Sequence, residues 1–271
     1  MSVIDEVSEF TVGSVLSRTW RAMWKKPLAF MGLTLASEIV ARGLFQLFLS
    51  GNPLSAVRLS KLTSDMLGGA IYLITTMLFQ GTIIYTIFQL FMQDRASVWD
   101  SMTRSFSRVW AVLLATVVAM AAGCFVCLGT VFILTRPSVL YRMSAFAGGF
   151  VALLTALLLA SFFFATWFVF APACVVERIG ALASLDRSGK LTKGYRLKIL
   201  GILALLQIFL RVVDFIAGKV VPGSGIPGII LRIAIILVPV TFMTLVPAVV
   251  YYSLRVAKEN LTPESLADIF D

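Results

Sequence analysis

Two pairs of opposite charge sit where charge is least welcome, inside long apolar runs. Glu38 and Arg42 are spaced i,i+4 in the run 28–49, and Arg211 and Asp214 are spaced i,i+3 in the run 198–217. Either spacing puts both members on one face of a helix. A charge near the centre of a transmembrane helix costs about 2.5–3.5 kcal/mol on insertion scales, whereas each Leu, Ile, Phe or Val returns only about 0.3–0.6 kcal/mol. Pairing or a polar cavity must supply the rest. Gln207, one turn before Arg211, and Arg232, near the start of the last apolar run, extend the set. Glu38, Arg42, Gln207, Arg211, Asp214 and Arg232 therefore form the candidate polar pocket. Its chemistry is electrostatic: a guanidinium fork fits a phosphate or carboxylate, so the expected ligand is an anion or a lipid headgroup. The rival reading is purely structural, with pairs that neutralise one another or arginines that extend toward the interface.

Catalysis finds no support. The chain has no histidine, the commonest general base and metal ligand. Cys124-Phe125-Val126-Cys127 has the spelling of a redox motif, but it lies inside an apolar run with no charge nearby to stabilise a thiolate. With Cys174 these cysteines read as reduced, small packing residues. A second CxxC for zinc and a Gly-rich phosphate loop are both missing from the sequence. No enzymatic activity, metal or cofactor is expected.

The elements that must position the polar pocket are six apolar runs, at 28–49, 67–92, 109–134, 146–176, 198–217 and 228–250. At about 1.5 Å per helical residue each can cross a hydrocarbon core of about 30 Å. The predicted fold is all-α: a polytopic membrane protein with six transmembrane helices plus amphipathic interfacial helices, in one integral membrane domain over 1–271. Hydrophobic residues make up 59% of the chain and charged residues 14%, too few charges to clothe a water-facing surface. The net charge of +9 is concentrated between the runs, which points to topology and not to nucleic acid.

Counting Lys and Arg by segment sets the orientation. The N-terminal arm (Arg18, Arg21, Lys25, Lys26), the second loop (Arg95, Arg104, Arg108), the fourth loop (Arg178, Arg187, Lys190, Lys193, Arg196, Lys198) and the tail (Arg255, Lys258) hold fifteen. The first loop (Arg58, Lys61), the third (Arg136, Arg142) and the fifth (Lys219) hold five. The positive-inside rule then places both termini on the cytoplasmic side, with 256–271 as a short acidic tail. With Asp5, Glu6 and Glu9 in the first residues, no cleavable leader is expected, and no lipidation motif is expected either.

The segment Asp94–Ser105 can be laid over Glu177–Ser188 without a gap, and Val12–Thr19 fits the same register more loosely. Aligning Arg18, Arg104 and Arg187 divides the chain into units 10–93, 94–176 and 177–255, each an amphipathic segment followed by two spans. In that register Arg42 and Arg211 both lie 24 residues after the aligned arginine, and Glu38 and Gln207 both lie 20 after it. The middle unit has Cys124 and Leu128 there, so any pocket is asymmetric. In the first amphipathic segment Val12, Val15, Leu16, Trp20, Met23 and Trp24 oppose Ser14, Ser17, Arg18, Arg21 and Lys25. The third is interrupted by Gly189 and Gly194. Headgroup contacts are expected at Arg18, Trp20, Arg21, Trp24, Lys25, Lys26, Arg104, Arg108, Arg187, Lys190, Lys193 and Arg196. Pro172, Pro239 and Pro247 interrupt spans as kinks or hinges.

Three segments carry a resemblance: Phe10–Trp20, Ala171–Glu177 leading into Ser184–Arg196, and Tyr251–Arg255. They resemble an uncharacterised bacterial inner-membrane family whose sequences also occur as the membrane domain fused to some glycerophosphoryl diester phosphodiesterases. Where that family typically has an aromatic residue, this chain has Gly189. The resemblance implies six spans and a link to membrane lipid; the phosphodiesterase domain is not part of this chain, and its activity is not carried over. The expectation is a non-enzymatic protein that binds or organises membrane phospholipid. The alternatives are a secondary transporter or channel for a small anionic or lipid-like substrate, and an accessory subunit that uses its polar residues on a membrane protein partner or a second copy of itself.

Overall fold

The computed structural model describes residues 10–50, 61–93, 109–134, 145–221 and 226–259. Helices are the only regular structure among them: α1 (Val12–Lys25), α2 (Pro27–Ser50), α3 (Lys61–Gln93), α4 (Val109–Leu134), α5 (Ala145–Thr166), α6 (Phe170–Val176), α7 (Ala181–Thr192), α8 (Arg196–Val220) and α9 (Ile226–Glu259). Six stretches, in α2, α3, α4, α5 with α6, α8 and α9, are long and apolar enough to cross a membrane.

Local chemistry sets the helix boundaries. Thr11 and Ser14 form a capping box at the start of α1, each side-chain oxygen accepting from the other's backbone N–H at 3.2 Å. Pro27 then opens α2, where a missing N–H costs nothing. The fourth span is broken at Trp167–Val169, and Pro172 lies in the first turn of α6, again where no intrahelical donor is needed. The break exposes the Thr166 carbonyl, which α7 covers: the Ser188 hydroxyl donates to it at 2.9 Å and the Thr192 hydroxyl at 3.1 Å. Glycine at 189 sits beside this contact, with Thr166 Cγ2 3.7 Å from where a Cβ would be. The sequence led us to expect an interruption at Gly189, but α7 runs through it and ends before Gly194, whose φ of 92° is the left-handed conformation that only glycine adopts cheaply.

The spans pair as hairpins, α2 with α3, α4 with α5, and α8 with α9. The second member of each hairpin (α3, α6 below α5, and α9) packs on the other two and forms the centre of the bundle. The first members lie outside, and each also touches the second member of the preceding hairpin: α4 against α3, α8 against α5, and α2 against α9, which closes the ring. The core reflects this division. Ile84, Ile87 and Phe88 of α3, Ala173 and Cys174 of α6, and Leu245, Val249 and Tyr251 of α9 are almost wholly buried. Trp110, Phe125 and Leu128 of α4, Leu153 and Leu158 of α5, and Ile208 and Phe215 of α8 are exposed apolar side chains suited to lipid. Cys124 joins that exposed face, whereas Cys174 is buried.

The amphipathic helices follow the same rotation, α1 lying chiefly on α9 and α7 chiefly on α6 and α4. α1 buries only part of its apolar stripe: Val15 and Met23 join the core and Val12 and Leu16 pack against it. Val15, Arg18, Thr19, Ala22 and Met23 face the bundle, and Trp20 and Trp24 are half exposed.

Candidate functional site

Polar side chains gather at two places in the bundle. The first is a groove of about 760 Å³ between α2, α8 and α9. Its walls are mostly apolar, with Leu35 and Ile39 from α2 facing Ile233, Ile236 and Leu237 from α9. Five charged residues interrupt them: Glu38, Arg42, Arg211, Asp214 and Arg232. The ring closure between the first and last hairpins is what brings these distant segments together.

Four of the five are paired. Arg42 Nε donates to Glu38 Oε2 at 2.9 Å along α2, and the Tyr72 hydroxyl of α3 donates to Glu38 Oε1 at 3.2 Å. Arg232 Nη2 donates to Asp214 Oδ1 at 2.8 Å across the α8–α9 hairpin. The i,i+3 partner expected for Asp214 was Arg211, but the neighbouring helix supplies Arg232 in its place. Arg211 lines the groove and makes no ion pair among the described residues. Three guanidiniums against two carboxylates leave the groove with one positive charge in excess. Gln207 is exposed and is not part of the groove wall. Tyr72 escaped the sequence reading, since nothing local to α3 links it to Glu38.

The second gathering lies at the other end of α9. Glu177 ends α6, and Arg178 turns the chain with a φ of 54° before α7 begins. This turn aims Glu177 back at Arg187, whose Nε donates to both carboxylate oxygens at 2.8 and 3.0 Å. The Tyr251 hydroxyl donates to Glu177 Oε1 at 2.6 Å. Arg255 Nε donates to Glu259 Oε2 at 2.8 Å, and Arg187 Nη2 donates to Glu259 Oε1. Burial by itself would lower the Arg187 pKa, but the bonds and charges of Glu177 and Glu259 outweigh it and raise it, keeping the guanidinium charged. Two carboxylates and two guanidiniums make this network neutral and closed. It clamps α6, α7 and α9 together.

That geometry takes Arg187 away from the headgroup role expected of it. Arg18 is likewise buried and donates through Nη1 to Ser253 Oγ at 3.2 Å. Arg104 and Arg108 lie outside the described residues. Trp20, Arg21, Trp24, Lys25, Lys190 and Lys193 are exposed at this end of the bundle, and Lys26 is partly so. Trp20 and Trp24 meet edge to face at 5.6 Å. Lys190 is held by Asp186 one turn back, and Arg196 lies over the Phe162 ring at 4.6 Å. Comparison of the chain with models of protein families, with curated proteins and with solved structures gives no match.

Proposed function

We propose that the protein is a non-enzymatic lipid-binding protein of a bacterial inner membrane, with both termini cytoplasmic, and that the groove between α2, α8 and α9 holds a phospholipid. The observation that carries this is Arg211: a guanidinium with no ion pair among the described residues, set in a mostly apolar wall whose other four charges are paired with one another. Such a wall suits acyl chains, and an unpaired cation suits a phosphate. In the proposed orientation the groove opens to the outer leaflet, because Arg42 and Arg211 lie past the midpoints of helices that start in the cytoplasm. The exposed Trp20, Arg21, Trp24 and Lys25 on α1 would then rest among inner-leaflet headgroups.

The test is the lipid retained after purification in mild detergent, measured by native mass spectrometry. Wild-type protein is expected to carry phospholipid, and Arg211→Leu to lose it while folded yield holds, since the removed charge was itself costly to insert. Unchanged lipid content in Arg211→Leu would overturn the proposal.

A further inference from the structure

Resting on the reading of the groove as a lipid site, we infer that it is matched to a single negative charge and selects a phosphodiester lipid with an uncharged headgroup. The argument is charge balance in a medium that screens poorly. Glu38 and Asp214 each commit a carboxylate to an arginine, at 2.9 and 2.8 Å, which leaves Arg211 as the surplus cation. Tyr72 spends its hydroxyl proton on Glu38, so it adds no donor for a second phosphate charge. A phosphodiester brings one negative charge and takes the site to neutrality. A phosphomonoester carries about 1.5 to 2 negative charges near neutral pH and leaves an excess that the apolar walls cannot screen. A zwitterionic lipid brings no net charge and leaves Arg211 unbalanced. The apolar walls themselves favour a ligand with acyl chains over its water-soluble headgroup.

The experiment uses the full chain in neutral detergent, titrated with phosphatidylglycerol, phosphatidate and phosphatidylethanolamine of identical acyl chains, and separately with soluble glycerophosphoglycerol. Thermal midpoint shifts report binding. Wild type is expected to bind phosphatidylglycerol at least roughly tenfold more tightly than either other lipid, a gap of about 1.4 kcal/mol, and to ignore the soluble diester. Asp214→Asn raises the excess to two charges and should turn the preference toward phosphatidate. Glu38→Gln makes the same change from the opposite wall, so a folding failure in one variant leaves the other to decide. If the three lipids bind alike but binding still needs Arg211, charge matching is wrong while the groove keeps its lipid. If lipid binding ignores Arg211, the groove reading itself falls. Equal stabilisation by the soluble diester would make the ligand a soluble anion and overturn the lipid assignment.

Discussion

Glu177 accepts from Arg187 and Tyr251 at once, so its loss is felt by three helices. Glu177→Gln keeps the shape but leaves two guanidiniums facing the single carboxylate of Glu259. Removing one partner of a fully buried pair costs about 3–5 kcal/mol. Here the Arg187 and Glu177 side chains keep 28% and 16% of their exposure, and solvent screening reduces the expected loss to about 1–3 kcal/mol. The measurement is the thermal midpoint in detergent, and an unchanged midpoint would show that the network is idle. Phospholipid retention in the groove should not change. At this scale the sequence was partly legible. Glu38 and Arg42 could be paired from spacing alone, because both lie on one helix. The partners of Arg187 lie across a turn at Glu177 and at the end of α9 at Glu259, where helical periodicity carries no information. A lone arginine ahead of an apolar run then reads as a headgroup contact. Glu177, Arg187, Tyr251 and Arg255, which lie far apart in the chain, converge on this network and not on the groove.

At the scale of the helix, the two glycines of the fourth loop looked alike in the sequence and behave differently. Gly194 adopts a φ of 92° with open space around it, so its strain lies in the backbone and not in packing. Gly194→Ala should destabilise by about 1–2 kcal/mol. Gly189 is helical, and a Cβ there meets Thr166 only at ordinary contact distance. Gly189→Ala should be neutral or stabilise by up to about 1 kcal/mol through helix propensity. Chemical denaturation of the two variants side by side checks the contrast, which vanishes if the turn after α7 is not formed. The hydrophobic pattern of α1 misled over Arg18. Amphipathicity put Trp20 and Trp24 on the apolar face and Arg18 on the polar face, with all three expected at the headgroup layer. In the structure α1 turns Arg18 onto Ser253 and leaves the tryptophans half exposed, because the surroundings of a membrane protein are apolar and its interior accommodates paired polar groups.

For the whole molecule, the six spans were legible from run length and composition, since a bilayer imposes a minimum helix length that few other environments demand. The order in which they pack was not, because contacts between spans depend on side-chain shape more than on hydrophobicity. Each first span rests on the second span of the hairpin before it, and α1 and α7 are displaced in the same sense. A rotation relating the three hairpins would produce this order of contacts among the described residues. The proposed orientation predicts that reporters in the N-terminal arm, after Arg187 and after Leu261 read as cytoplasmic, and those near Arg58 and Gly225 as external. A reversed reading at either terminus would remove the outer-leaflet assignment of the groove. The ion pairs of the groove also bear on how the chain is made. Glu38 and Arg42 leave the ribosome four residues apart and can enter the bilayer already joined, and Asp214 needs only the following helix to meet Arg232. Every paired charge in the groove is thus neutralised by a near neighbour in synthesis order, without waiting for the ring to close. Arg211 alone has no ion-pair partner in the finished groove among the described residues, and that groove is complete only once the last span has come to rest against the first.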